Sequence, residues 1–244
     1  MEVSIIVPCF NESDRIDVNK FINYISQNNH THFVFVYDGS TDNTSFIISG
    51  IISKYPSQVS MIKNETNKGK AETVRIGVIE SLKMNPDLIG YLDADLATPI
   101  EEIDKMINIL KLDHKKKIVF ASRIQLIGNE IKRNYFRHFL GRVFSTFVSL
   151  LLKLKIYDTQ CGAKIFSIDI CEVIFMEKFI SEWLFDVEIF ARLIKKFGVK
   201  ETTRFSFEKP VSKWSDIDGS KVKTIHFIKA PYELFKIIRH YKLS

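Results

Sequence analysis

Apolar residues fall in short unbroken runs through the first half of the chain, at 3–7, 33–37, 59–62, 88–92 and 118–121. Runs of this length, rich in Val, Ile and aromatic residues and bounded by polar clusters, predict buried strands. Between them, apolar positions recur with helical spacing over 14–26, 44–54, 71–84 and 100–110. Strand–helix alternation predicts an α/β fold with a mostly parallel sheet and helices on both faces. Such sheets bind ligands beyond the carboxyl ends of their strands. Polar clusters occur there: Pro8-Cys9-Phe10-Asn11-Glu12 after the first run, Asp38-Gly39-Ser40-Thr41-Asp42 after the second, Asp93-Ala94-Asp95 after the fourth. Helix capping explains one such cluster more readily than three.

The pattern changes after Arg123. Over 135–155 the apolar Phe136, Phe139, Leu140, Val143, Phe144, Phe147 and Val148 mix with Arg137, Arg142 and Lys153, and Arg133 lies just upstream. A spanning helix needs roughly 20 apolar residues, which this stretch does not supply. It either lies in a bilayer interface or covers the sheet as a core helix. The segment 224–243 is amphipathic in the same way, with Lys229, Lys236, Arg239 and Lys242 beside Phe227, Leu234, Phe235 and Ile237.

Of the 244 residues, 45% are hydrophobic, enough for a substantial core. The formal charge of +6 favours an anionic partner, whether nucleotide phosphate, acidic membrane or nucleic acid. Nucleic-acid binding is the weakest of these, because the basic residues intersperse with apolar ones instead of lining a groove with stacking aromatics. Cys9, Cys161 and Cys171 have neither zinc spacing nor an even disulfide framework, which suits a reducing compartment. The chain runs straight into a strand, without a basic segment and signal-peptide core.

Asp93 and Asp95, one residue apart after a buried run, place two negative charges on one sheet edge. Like charges that close repel, and oxygen-only ligands suit Mg²⁺ or Mn²⁺ shared with substrate phosphates. Taken alone, the pair also reads as loop carboxylates capping a helix.

Four motifs in order resemble family 2 glycosyltransferases: Ile6-Val7-Pro8-Cys9-Phe10-Asn11-Glu12, Val36-Tyr37-Asp38-Gly39-Ser40-Thr41-Asp42, Asn67-Lys68-Gly69-Lys70 with Arg75, and Asp93-Ala94-Asp95. The second half is similar to the dolichyl-phosphate β-glucosyltransferases. It carries Ala121-Ser122-Arg123, Asp158-Thr159-Gln160-Cys161-Gly162-Ala163-Lys164, Trp183-Leu184-Phe185-Asp186-Val187-Glu188 and Ile217-Asp218-Gly219-Ser220-Lys221. Ala97 and Asp186 favour the glucosyl over the mannosyl branch, which usually carries Gln at both positions. Tyr37 departs from the family's usual Asp, leaving Asp38 to act alone. Eukaryotic glucosyl members also carry an N-terminal membrane anchor, so the sequence suits a bacterial-type enzyme using polyprenyl phosphate.

The resemblance implies a GT-A fold, with a Rossmann-like, mostly parallel sheet flanked by helices, and amphipathic helices at a membrane surface. It divides the chain into a catalytic domain at 1–223 and a C-terminal amphipathic basic helix at 224–244. The implied reaction moves a sugar, glucose by resemblance, from a UDP-sugar to a polyprenyl phosphate with inversion. Its setting would be peripheral, on the cytoplasmic face of the cell membrane. Asp95, helped by Asp93, would hold Mg²⁺ or Mn²⁺ against the leaving diphosphate. Pro8, Phe10, Glu12 and Asp38 would form the nucleotide wall, with Lys70 and Arg75 on its phosphates; Glu12 and Asp14 also read as caps of the first helix. Arg123 and Arg137, then Arg133 and Arg142, would receive the acceptor phosphate, with Lys164 a further cation; any of the arginines also reads as part of a solvated face. Asp158 and Asp186 would hold sugar hydroxyls or orient the acceptor. In a second reading the acceptor is a sugar hydroxyl of a surface glycan, and Asp186 is the base. Trp183 reads as stacking on the sugar or, preferably, as sealing the core, and Cys161 as packing.

Overall fold

The strands form where apolar runs are enclosed on both faces; every residue of the run 88–92 is buried. The computed structural model describes residues 1–132, 135–217 and 224–243, with side chains at all of these except 135–137 and 224–228. The first half alternates β1 (Val3–Cys9), α1 (Val18–Gln27), β2 (Thr31–Asp38), α2 (Thr44–Lys54), β3 (Val59–Asn64), α3 (Lys70–Leu82), β4 (Leu88–Leu92), α4 (Glu102–Leu112) and β5 (Ile118–Ser122). There follow β6 (Glu130–Lys132), α5 (Tyr135–Leu152), β7 (Ala163–Ser167), α6 (Ile168–Phe175), α7 (Phe185–Phe205), β8 (Ser206–Pro210), β9 (Lys213–Ser215) and α8 (Thr224–Tyr241).

Seven strands form one sheet in the order β3-β2-β1-β4-β7-β5-β8, and β6 pairs with β9 in a separate ribbon. All sheet neighbours are parallel except at β7, which runs antiparallel to β4 and β5. Its register sets Ala163 opposite Leu92, so the loop before β7 meets the loop after β4. One core packs α1, α2 and α4 against the sheet, together with Ile131 and Trp214 of the ribbon. The other packs α3, α5, α6, α7 and α8. Gly77 lets α3 press onto β1: a Cβ there would lie 2.6 Å from Ile6.

Helix α1 starts at Val18, later than its apolar pattern predicts. Glu12 O accepts from Arg15 N and Ile16 N (both 2.9 Å), closing a turn first. Asp17 then caps the helix by accepting from Lys20 N at 3.1 Å, so neither Glu12 nor Asp14 is the cap. Helix α7 is two segments merged across Gly198, whose φ of 79° is left-handed.

Helix α5 has a buried apolar face and an exposed apolar face. Val148 and Leu152 are buried in the core, while Phe139, Val143, Phe147 and Leu150 form an exposed stripe at helical spacing. Helix α8 buries Leu234 and Ile237 and exposes Tyr232 and Phe235 beside Lys236 and Arg239. Among the described residues, no helix is long and apolar enough to cross a membrane.

Glu102, 1% exposed at the start of α4, ties that helix to the sheet's far edge. It accepts from Lys209 Nζ at 2.5 Å, Lys105 Nζ at 2.6 Å and Ser212 Oγ at 2.6 Å. Burial raises its pKa, but these partners outweigh that and hold the carboxyl at about 2, against an ordinary 4.5. Because the folded value is the lower one, this stabilisation is present above pH 4.5 and is lost as pH falls toward 2. Glu102→Gln is expected to cost about 2 kcal/mol at neutral pH and to flatten the acid limb of stability in that window. Denaturant titrations between pH 7 and 2.5 measure both.

Candidate active site

The carboxyl ends of β1, β2 and β4 and the loop before β7 open into one cavity of about 770 Å³. Pro8, Phe10, Glu12, Asp38, Lys70, Asp93, Asp95, Arg123, Asp158 and Asp186 all line it. Arg133 lies outside the described residues, as does the side chain of Arg137. Asp218-Gly219-Ser220-Lys221 is likewise outside them.

Asp38, 2% exposed, terminates β2 and fastens the approach to α3. Its Oδ1 accepts from Asn64 Nδ2 (2.8 Å) and Lys68 N (2.9 Å), and its Oδ2 from Gly69 N (3.1 Å). Gly69 has φ +84°, a left-handed conformation that starts α3 with Lys70 aimed inward. Lys70 Nζ stands 2.5 Å from Asp93 Oδ1.

Asp93 is set by close backbone approach: its N–H donates to Gly162 O at 2.9 Å, and a Cβ on Gly162 would collide with the Asp93 carboxylate. Asp95 follows in a tight turn, where Leu96 N donates to Asp93 O (3.2 Å) and Ala97 N to Asp95 Oδ1 (3.1 Å). Leu96 has φ 51°, uncommon for a branched side chain and costing of order 1–3 kcal/mol. Burial and the adjacent Asp93 charge raise the Asp95 carboxyl above the usual range, against the pull of Ala97 N, Arg15 and Lys70. Two carboxylates forced together on a cavity wall fit a divalent cation, which typically takes one or two carboxylates and completes its shell with phosphate and water oxygens. Among the described residues no group of three or more His, Cys, Asp or Glu has metal-site geometry, so any such cation would rely on ligands from the substrate.

Across the cavity, Asp158 Oδ2 accepts from Arg123 Nε (2.6 Å) and Oδ1 from Nη2 (2.8 Å). The Arg123 guanidinium also lies 5.2 Å from the Trp214 ring. Burial opposes ionisation of Asp158, but Arg123 and the backbone N–H groups of Arg123 and Gln160 outweigh it and hold the carboxyl at about 2. Glu208 of β8 fixes this loop by accepting from Tyr157 N and Asp158 N at 2.9 and 2.7 Å. Arg142 stacks 3.5 Å from the Tyr157 ring centroid and donates to Tyr157 O at 2.6 Å. Deeper still, Asp186 is bonded by Tyr91 Oη and Lys164 Nζ.

Two cations read from the sequence as ligand-binding serve the scaffold. Arg75 points away from the cavity: Nε and Nη2 bond Glu72 at 2.8 and 2.9 Å, and Nη1 donates to Met176 O at 3.0 Å. A residue five positions into α3 faces α6, not the nucleotide wall. Lys164 is fully buried and donates to Thr159 O (2.8 Å) and Cys161 O (3.0 Å) as well as Asp186. Burial pushes the Cys161 thiol up to about 11, which keeps it neutral and inert as a nucleophile. Trp183 lines the cavity while packing on Phe144, 6.0 Å between rings. The sequence pattern did not single out Arg15, whose guanidinium is ion-paired with both Glu12 and Asp95. Its signal was its position three residues after Glu12. Glu182, Tyr157 and Trp214 also line the cavity and carried no motif of their own.

Residues 4–175 match the family described as Glycosyl transferase family 2. The chain belongs to glycosyl transferase family 2. A family member from Trichomonas vaginalis, named dolichyl-phosphate beta-glucosyltransferase, is 32% identical over 96% of this chain and 72% of its own length. The Homo sapiens protein of that name is 30% identical over 91% of this chain and 69% of its own. Among solved structures, glucosyl-3-phosphoglycerate synthase from Mycobacterium tuberculosis, in complex with Mn²⁺ and uridine-diphosphate-glucose, superposes with a TM-score of 0.70. It shares 12% identity and matches over 97% of this chain and 78% of that one. At that identity the likeness concerns the fold, which is GT-A-like.

Gly162→Ala is expected to displace Asp93 and lower glycosyl transfer about 100-fold, the order of loss that follows an ångström-scale misplacement. The far-UV circular dichroism spectrum should stay that of the wild type.

Proposed function

We propose that this family 2 enzyme transfers glucose from UDP-glucose to the phosphate of a polyprenyl phosphate, with inversion, in the presence of Mg²⁺ or Mn²⁺. The observation that carries the acceptor is how the cavity's inner carboxylates are engaged. A sugar-hydroxyl acceptor needs a base to remove its proton. Asp158, with both oxygens bonded by Arg123 and its carboxyl held at about 2, is a poor base, and Lys164 and Tyr91 both occupy Oδ1 of Asp186. A phosphate monoester needs no base, because its second pKa of about 6 leaves it close to doubly charged at neutral pH. What it needs is positive charge, which Arg123 and Arg142 bring to the same wall. The names of the relatives agree with a lipid-phosphate acceptor and a glucosyl group.

Each side chain then has a task. Asp38 keeps the loop at 67–69 in place as a floor for the nucleoside, beside Pro8 and Phe10. Lys70, at the start of α3, offers positive charge to the diphosphate. Asp93 and Asp95 would hold the divalent cation, which when bound supplies Lewis-acid stabilisation of the departing diphosphate. Asp158 orients Arg123 toward the acceptor side, and Trp183 and Trp214 give the cavity its apolar flank.

The acceptor's lipid tail asks for a membrane surface, and α5 supplies one beside the cavity. His138, Arg142 and Phe144 face the cavity, while Phe139, Val143, Phe147 and Leu150 face outward. Lipid-facing apolar side chains beside basic ones suit an interfacial helix. The protein would thus work peripherally, at the cytoplasmic face of the cell membrane.

Purified protein given UDP-glucose, Mn²⁺ or Mg²⁺ and a short polyprenyl phosphate should yield lipid-linked glucose, and Asp95→Asn should abolish it. Extension of a free oligosaccharide with the phosphate left untouched would reject the lipid acceptor. The double variant Phe139→Glu, Phe147→Glu should reduce pelleting with anionic vesicles about tenfold or more, since each Phe is worth roughly 1.5–3 kcal/mol when buried. Its rate on a soluble short-chain acceptor should be retained.

A further inference from the structure

Arg15 sits in the turn between β1 and α1, within the cavity wall. Its Nη1 is 3.2 Å from Glu12 Oε2, and its Nη2 is ion-paired with Asp95. All three side chains are largely enclosed, with exposures of 15, 10 and 16%. The Arg15 Nε is buried and makes no hydrogen bond. The guanidinium is therefore hydrogen-bonded to a carboxylate through each terminal nitrogen, Nη1 to Glu12 and Nη2 to Asp95, while its Nε has no partner. Asp93 is matched separately, by Lys70. Each carboxylate of the acidic pair thus already has a protein cation.

A divalent ion approaching Asp95 meets that guanidinium first. Arginine keeps its proton at any ordinary pH, so neutralisation offers no escape. It must leave Asp95, and it then retains Glu12 and needs a second anion. A nucleoside diphosphate entering the same cavity provides one, in the planar geometry that a guanidinium fork matches.

We propose that Arg15 competes with the divalent cation for Asp95 and, once displaced, pairs with the donor's diphosphate, so that cation and nucleotide bind cooperatively. This rests on the reading of Asp93 and Asp95 as the cation's ligands. Coupling of this kind is reciprocal: the nucleotide raises cation affinity by the same factor that the cation raises nucleotide affinity.

The test is Mn²⁺ binding to the full chain, followed by the electron paramagnetic resonance signal of free Mn²⁺, with and without UDP. Wild type should bind Mn²⁺ about tenfold tighter with UDP than without, well within the usual range of coupling. Arg15→Gln should bind Mn²⁺ alone about tenfold tighter than wild type, and UDP should then improve it by a smaller factor than it improves wild type, the remaining gain coming from the diphosphate's own oxygens on the cation. Arg15→Lys keeps the charge but loses the fork and should fall between the two. It is the variant to read if thermal denaturation shows Arg15→Gln unfolded. Mn²⁺ binding in either folded variant that is unchanged or weaker than wild type overturns the proposal and leaves the cation site intact. A wild type that binds no Mn²⁺ even with UDP removes the cation site and the proposal together.

Discussion

Carboxylates gathered at one edge of a sheet repel one another, and the way each is matched here sets the shape of the cavity. Asp38 is answered by peptide N–H groups, Asp158 by Arg123, and Asp186 by Lys164 and Tyr91. Those inner matches are nearly closed to water: the side chains of Asp158, Asp186 and Lys164 are 6, 6 and 0% exposed. Removing one partner of such a buried pair typically costs about 3–5 kcal/mol, so these groups act as walls. Asp93 is different. Its partner Lys70 is 39% exposed and the carboxylate itself 33%, which leaves the pair open to exchange with an incoming ligand. The cavity thus has a fixed side and an exchangeable side.

The first half of the fold was legible because its signals are local. Apolar runs ended within two residues of the observed strands, and the polar clusters after them converged as a parallel sheet requires. Four residues separate the expected and observed starts of α1, because a turn closed by Glu12 O competes with the helix before Asp17 can cap it. Strand β7 was read only as a motif. Its direction depends on where the chain re-enters the sheet after α5, which no local pattern records. The contacts of Arg75 and Lys164 within the protein were not legible for a related reason: residue type gives charge, but only packing says which way the charge points. A lysine inside the run Ala163–Ser167 was a usable sign of a buried, internally bonded ammonium.

Helix α5 shows why composition alone left two readings open. Its apolar residues exceed what one buried face can absorb, and the surplus lies on a second face. The core face fixes the helix against α7, and the cavity face offers Arg142 and His138. On the proposed reading, membrane contact and substrate contact would belong to one element, which would link lipid depth to the position of the acceptor's charged end.

The family match ends at residue 175, inside the last residue of α6, yet the cavity does not. Glu182, Trp183, Asp186 and Trp214 come from later in the chain and close its remaining wall. The matched portion runs through β7 and already carries Asp38, Asp93, Asp95, Arg123 and Asp158. The later residues therefore complete an enclosure whose charged groups are mostly set earlier, and substitutions there would alter its contour more than its acidic strand ends.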